Sequence, residues 1–217
     1  MHVYNGIELI EGLGRDCNVY VIDGSIIIDS GTGNYFVEMK KKIEAFCDTS
    51  SISLLINTHC HFDHTGGNKK FRDWLKLQIA AHSQDRDSIE TGKDALAEMF
   101  GQSSRIMTLD RVLENGSVIN TKNFSFEVIH TPGHTPGSIC LFEKKKKILV
   151  SGDTLFDDAV GRTDFPGGNK EQMIQTLKKL AALEPQYLLP GHGSPKIGGI
   201  GFMAKQIINF VNESKEI

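Results

Sequence analysis

Seven histidines and aspartates of this chain sit in short turns directly after apolar runs, and that placement constrains the fold more than any other feature. His59, His61, Asp63 and His64 follow "SLLIN" (53–57) in "THCHFDHTGG", and His134 follows "FSFEVIH" (124–130) in "TPGHTPGS". Asp153 follows "KILVS" (147–151) in "SGDT", and His192 follows "QYLLP" (186–190) in "PGHG". Glycines beside them (Gly66, Gly67, Gly133, Gly152, Gly191, Gly193) permit tight turns and close backbone approach. Each loop is thereby able to aim one side chain at a shared point, and loops on a rigid scaffold are where sites are built. Imidazoles and carboxylates crowded together are costly to desolvate, and the carboxylates repel one another; a divalent cation turns both penalties into bonds. The crowding points to metal. His59 and His61, at i and i+2 of an extended loop, are able to meet one ion, whereas Asp63 and His64 must point past it toward a second. Nitrogen and carboxylate donors without cysteine suit Zn²⁺ first, with Fe or Mn as alternatives, better than a thiolate site or a Ca²⁺ cage.

The scaffold follows from the rest of the pattern. Further β-branched or apolar runs, "CNVYVI" (17–22), "SIIID" (25–29), "LQIAAH" (77–82) and "SICLFE" (138–143), complete a set of eight predicted strands. Helical stripes lie between some of them: Phe36, Met39, Ile43 and Phe46; Met173, Ile174, Leu177, Leu180 and Ala181; Met203, Ile207, Phe210 and Val211. Sheets covered by helices are expected, an α/β fold, and the pattern alone does not choose between a doubly wound sheet and a layered sandwich. A length of 217 residues, with 39% hydrophobic and 24% charged content, predicts one domain spanning 1–217. A net charge of -3 with both signs mixed along the chain recommends neither nucleic acid nor an anionic membrane as partner. No leader-like start and no run of about 18 apolar residues is present, and Cys17, Cys47, Cys60 and Cys140 form no C-x-x-C pair. Reduced thiols in a cytoplasmic protein are the expectation.

"THCHFDHTGG", "TPGHTPGS", "SGDTLF" and "PGHG", in that order, resemble the metallo-β-lactamase superfamily, from about Asp29 to Gly193. The resemblance implies a four-layer αββα sandwich with a dinuclear metal centre: His59, His61 and His134 on one ion, Asp63, His64 and His192 on the other, and Asp153 bridging. The longer stretch "SGDTLFDDAVGRTDFPGGN" is similar to glyoxalase II (hydroxyacylglutathione hydrolase) and its shorter relatives, and also to the persulfide dioxygenases. The resemblance therefore implies a small thiol-derived substrate. The favoured activity is hydrolysis of a thioester such as an S-acylglutathione, by water activated between two divalent ions, with Asp63 and Asp153 as the proton-handling residues. The alternative is a mononuclear iron persulfide dioxygenase, using His59, His134 and Asp153; a lactonase or phosphodiesterase ranks behind both. Glyoxalase II carries a further helical domain where about two dozen residues follow "PGHG" in this chain, so the thiol carrier stays open.

The remaining residues divide by what they offer. Asp29, ending the run "IIID", is either a turn-forming carboxylate or a brace that accepts the outer N–H of a ligand imidazole and fixes its tautomer. Arg162 in "GRTDF" either pairs with a substrate carboxylate or locks its loop to Asp164. Cys60 alternates away from His59 and His61 and is expected to pack rather than bind metal. His2, His82 and His130 match no ligand position and read as surface or hydrogen-bonded core residues. "EKKKK" (143–147) reads as a solvated hairpin turn, and residues 83–106 as a helical excursion, with a lid over the site as the other reading.

Overall fold

Short runs of isoleucine, leucine and valine become strands because branched side chains fit a pleated surface, and runs apolar at every position become strands buried on both faces. A computed structural model describes residues 1–103 and 106–213. The chain forms two compact units: Met1–Leu113 with Thr121–Phe124, and Glu114–Asn120 with Ser125–Ile217.

The first unit is built on a seven-stranded sheet whose spatial order follows the chain. β1 (His2–Tyr4), β2 (Ile7–Ile10), β3 (Val19–Ile22) and β4 (Ile26–Ile28) pair antiparallel. After the helix α1 (Phe36–Phe46), β5 (Leu54–Ile56) pairs parallel to β4. Then come α2 (Phe62–Thr65), α3 (Asn68–Leu75), β6 (Gln78–His82), α4 (Arg86–Thr91) and β7 (Arg111–Leu113), with β6 and β7 again parallel. Parallel neighbours need a crossover, and α1 and α3 supply two of them. Met39 and Ile43 on α1 and Phe71 on α3 pack in one core with Val19, Ile27, Leu55 and Ile79. Phe36 meets Phe71 edge-on at 5.3 Å between ring centroids. Full burial of a side chain such as Phe71 is worth about 1.5–3 kcal/mol, so a charge at Phe71 or Ile43 would open this layer.

The second unit holds a six-stranded sheet. β8 (Val118–Asn120), β9 (Ser125–His130), β10 (Ile139–Glu143) and β11 (Ile148–Gly152) pair antiparallel in sequence. α5 (Lys170–Ala182) then carries the chain to β12 (Tyr187–Pro190), parallel to β11, before β13 (Lys196–Ile197) and α6 (Ile200–Glu213). The Asn169 side chain caps α5 by accepting from the Gln172 amide at 2.9 Å. Met173, Leu177, Leu180, Met203, Ala204 and Ile207 form a second core with Phe142, Leu149 and Leu188. Phe210 and Val211, part of the expected α6 stripe, lie outside the residues whose side chains are described.

All eight predicted strands are present, and the lysines of "EKKKK" occupy the β10–β11 hairpin turn. Five further strands, β1, β2, β7, β8 and β13, have two to four residues each, too short for a period to be counted. α3 was also not predicted: its apolar stripe is only Phe71, Trp74 and Leu75, one buried and two half-buried against the same core, too few for a helical period to be read. Residues 83–106 hold two short 3₁₀ turns around α4, anchored by buried Ile89, Ala95 and Ala97, while Ser104 and Arg105 lie outside the described residues. Among the described residues no helix is long and apolar enough to cross a membrane.

Candidate metal centre

In the first unit β4 and β5 run parallel, so their carboxyl ends lie side by side, where α/β sheets commonly place sites. Asp29 leaves β4 there in the left-handed region (φ +60°), which an aspartate tolerates better than most residues. Its amide donates to the Ile56 carbonyl at 2.9 Å, tying the end of one strand to the other. One carboxylate oxygen accepts from the Thr58 amide at 2.8 Å; the other accepts from the Thr58 hydroxyl and from His64 Nδ1, each at 2.8 Å. A carboxylate only accepts, so His64 carries its proton on Nδ1 and presents a lone pair at Nε2. The Thr58 hydroxyl, having donated to Asp29, lies 3.1 Å from His59 Nδ1 and accepts from it, which fixes the same tautomer on His59. Asp29 therefore braces the loop and orients an imidazole together.

The three imidazoles of this loop are buried and crowded: the His59 ring centroid is 4.8 Å from that of His61 and 4.1 Å from that of His64. α2 begins immediately after His61, and its single turn brings Asp63 to 3.9 Å from His64 Nε2. The His64 carbonyl accepts from the Ser30 amide and hydroxyl, each at 2.9 Å, and from Asn57 Nδ2 at 3.1 Å. Asn57 and Asn68 pair reciprocally through their side-chain amides at 3.1 and 2.7 Å, and Ser30 also donates to Asn68. Such a closed buried network holds the loop in one geometry. Gly67 makes the close approach possible, because a Cβ there would lie 2.2 Å from the Ser30 carbonyl oxygen.

The second unit gathers the other three candidates. His134 follows β9, Asp153 follows β11 and His192 follows β12. His134 Nε2 is 3.8 Å and His192 Nε2 3.6 Å from the same oxygen, Asp153 Oδ2. These distances exceed hydrogen bonds and approach the separation of two donors around one tetrahedral ion, about 3.3 Å for bonds of about 2.0 Å. His134 Nδ1 donates to the Arg162 carbonyl at 2.7 Å, which again turns Nε2 away as the lone-pair nitrogen. Gly161 permits that approach: a Cβ on it would lie 2.0 Å from the Asp153 carbonyl oxygen and 2.8 Å from the His134 ring. The Arg162 guanidinium forks onto Asp164 at 2.9 and 2.6 Å and stacks over Phe165, so the side chain locks its own loop. That pair holds the Asp164 carboxyl below the usual carboxylate range.

In each unit, then, ring nitrogens are oriented by oxygen partners as expected of metal-binding histidines, and the donor set of imidazole and carboxylate suits a divalent transition ion. Cys60 packs in the first core, and burial pushes its thiol well above the ordinary range, in keeping with a packing role. His2 pairs with Glu8 at 2.6 Å, His82 accepts from the Gln84 amide, and His130 Nε2 meets the Pro136 carbonyl at 2.8 Å. The supporting residues Ser30, Asn57, Thr58 and Asn68, and the Arg162 carbonyl, were not singled out from the sequence. Small polar residues at strand ends look alike whether they face solvent or a buried network, and a backbone carbonyl has no sequence signature.

Comparison with known proteins supplies the family. The family model described as the metallo-beta-lactamase superfamily matches residues 12–192. A probable metallo-hydrolase, MJ0888 of Methanocaldococcus jannaschii, is 31% identical over 195 residues, covering 85% of this chain and 91% of its own. The hydroxyacylglutathione hydrolase GloC of Haemophilus influenzae is 32% identical over 152 residues, covering 66% of this chain and 70% of its own. Among solved structures, TTHA1623 in a di-iron-bound form aligns over 94% of this chain and 99% of its own, with a TM-score of 0.76 and 26% identity. Two sheets with helices in this order, with ligand-type side chains at their strand ends, are the mixed α/β elements expected, and the chain belongs to the metallo-β-lactamase superfamily.

Proposed function

We propose that this metallo-hydrolase cleaves a small thioester, such as an S-acylglutathione, at a dinuclear centre. The observation that carries the reading is the matched orientation of His59, His64 and His134, each with Nδ1 occupied by an oxygen and Nε2 turned the other way. On this reading His59, His61 and His134 would hold one ion and Asp63, His64 and His192 a second, with Asp153 serving both. Two divalent ions, Zn²⁺ by preference and Fe or Mn as alternatives, supply a water of near-neutral pKa and polarise the carbonyl. A water whose oxygen bonds to the acyl carbon would give up one proton to Asp63 or Asp153; as the C–S bond breaks, the sulfur would leave as thiolate with the electron pair and take that proton back to become the free thiol. Asp29 and the Arg162 carbonyl keep the imidazoles in the metal-binding tautomer throughout.

Similarity to GloC supports the thioester, and the di-iron form of TTHA1623 keeps iron among the candidate metals. We further propose a small-molecule substrate, with neither nucleic acid nor membrane as partner, and a cytoplasmic setting. That setting rests on four free cysteines, three of them buried. Hydrolysis draws its nucleophile from water, so S-lactoylglutathione or a comparable thioester is expected to be cleaved equally fast with and without O₂. Rapid O₂ consumption with glutathione persulfide and no thioesterase activity would replace this reading with the iron dioxygenase. Cleavage of lactones or phosphodiesters alone would move it to another substrate class.

A further inference from the structure

One buried carboxylate of the first unit, that of Asp16, has no place in the centre described above. Asp16 lies on the loop between β2 and β3, only 4% exposed. Its Oδ1 accepts from the Thr32 hydroxyl at 2.5 Å, while Oδ2 meets no hydrogen-bond donor among the described residues. Gly31 lets the carboxylate lie against the backbone, since a Cβ there would come within 2.5 Å of Oδ2. Arg15 offers no compensation, because its guanidinium turns to the Met99 carbonyl at 3.2 Å. The charged neighbours are instead Asp63 and His64: burial pushes the Asp16 carboxyl up, the Thr32 bonds oppose that, and of the smaller influences Asp63 pushes it up while His64 pulls it down. The chain also ties Asp16 to this loop, with the Cys17 amide donating to the Asp63 carbonyl and the Gly67 amide to the Gly31 carbonyl.

A buried carboxylate with an unanswered oxygen, set beside a second carboxylate, is unfavourable unless a cation stands near both. A divalent ion would reverse the sign of that local field. We propose that Asp16 is a positioning carboxylate of the metal centre, favouring the ion held by Asp63 and His64 through space without binding it. This rests on the metal assignment made above. Asp16 acts on metal affinity and not on the reacting atoms, and its charge is a liability in the metal-free protein that the ion removes.

The test compares Asp16→Asn with the wild type by titrating Zn²⁺ into metal-free protein against a chromophoric chelator, and by thermal melts of the metal-free forms. Asparagine keeps an acceptor for Thr32 and removes the charge. The affinity for the second ion is expected to fall about 10-fold or more, the range of effects for groups that support metal ligands, while the metal-free Tm stays level or rises. A purely structural role would lower the two together. Asp16→Ala, which also deletes the Thr32 bond, lowers the metal-free Tm but is expected to show the same loss of affinity, and it decides the matter if the asparagine variant does not fold. Wild-type affinity in these variants, or a loss seen only alongside a lower metal-free Tm in Asp16→Asn, overturns the proposal. If the wild type itself takes up no second ion, the metal assignment is what fails.

Discussion

Replacing Asp29 by asparagine separates the bracing of the loop from the orientation of its imidazole. The carboxylate is 1% exposed and accepts three hydrogen bonds at 2.8 Å, from the Thr58 amide, the Thr58 hydroxyl and His64 Nδ1. Bonds to a charged acceptor contribute about 1.5–3 kcal/mol each, and most residues without a short polar side chain pay about 1–2 kcal/mol in the left-handed conformation seen here. Asp29→Ala would thus remove several kcal/mol, a large share of the about 5–15 kcal/mol that holds a typical domain together, and would confound folding with metal binding. Asp29→Asn is cleaner. Its oxygen still accepts from the Thr58 amide and it tolerates φ +60°, so the metal-free protein should lose no more than about 1.5–3 kcal/mol, one charged hydrogen bond's worth. Its amide nitrogen, however, donates toward His64 Nδ1 and drives the imidazole proton to Nε2, the nitrogen assigned to the metal. Metal affinity should fall by about 10- to 100-fold, equivalent to about 1.4–2.7 kcal/mol. Zinc titration against a chromophoric chelator measures the first quantity and urea unfolding of the metal-free protein the second. An asparagine variant that binds both ions as the wild type does would refute the tautomer argument and return Asp29 to a plain turn residue.

Other consequences follow from the same geometry. Gly161→Ala places a Cβ 2.0 Å from the Asp153 carbonyl oxygen and 2.8 Å from the His134 ring, so it should cost more than about 100-fold in kcat/KM, above 2.7 kcal/mol, and lower metal content. Arg162→Ala removes an exposed, solvent-screened ion pair and leaves the carbonyl on His134, so kcat/KM should stay within about 10-fold, and a larger drop would assign the guanidinium to substrate. Burial pushes the Cys17 thiol up to about 12 and that of Cys140 to about 11. Because the thiolate is the nucleophile, native protein at pH 8 should be alkylated first at half-buried Cys47, as read by mass spectrometry, with Cys17 and Cys140 reacting only on unfolding.

The strands apolar at every position and both cores were legible because their apolar residues have no other economical use, whether an unbroken run such as "LLI" or a stripe such as Met173, Leu177 and Leu180. The ligand candidates were legible for a different reason, since His59, His61, Asp63 and His64 within six residues would be unfavourable without a cation. What escaped lies where the physical determinant is tertiary. β1 and β13 are too short to show alternation, and α3 offers only Phe71, Trp74 and Leu75 to the core, so each exists through its neighbours. Ser30 and Asn57 converge on the His64 carbonyl while Asn68 ties the two together, a closure across three segments that no local pattern reports. Arg162 was weighed for its side chain, yet it is its carbonyl that orients His134.

The metal content of the purified protein tests the central claim most directly. Protein prepared without chelator should contain close to two transition-metal ions per chain. Dialysis against a strong chelator should abolish thioester hydrolysis, re-addition of Zn²⁺ should restore it, and Asp153→Ala should lose both ions together, since it removes the carboxylate assigned to each. A single tightly bound iron per chain, with His61, Asp63, His64 and His192 replaceable without loss of metal, would contradict the dinuclear hydrolase.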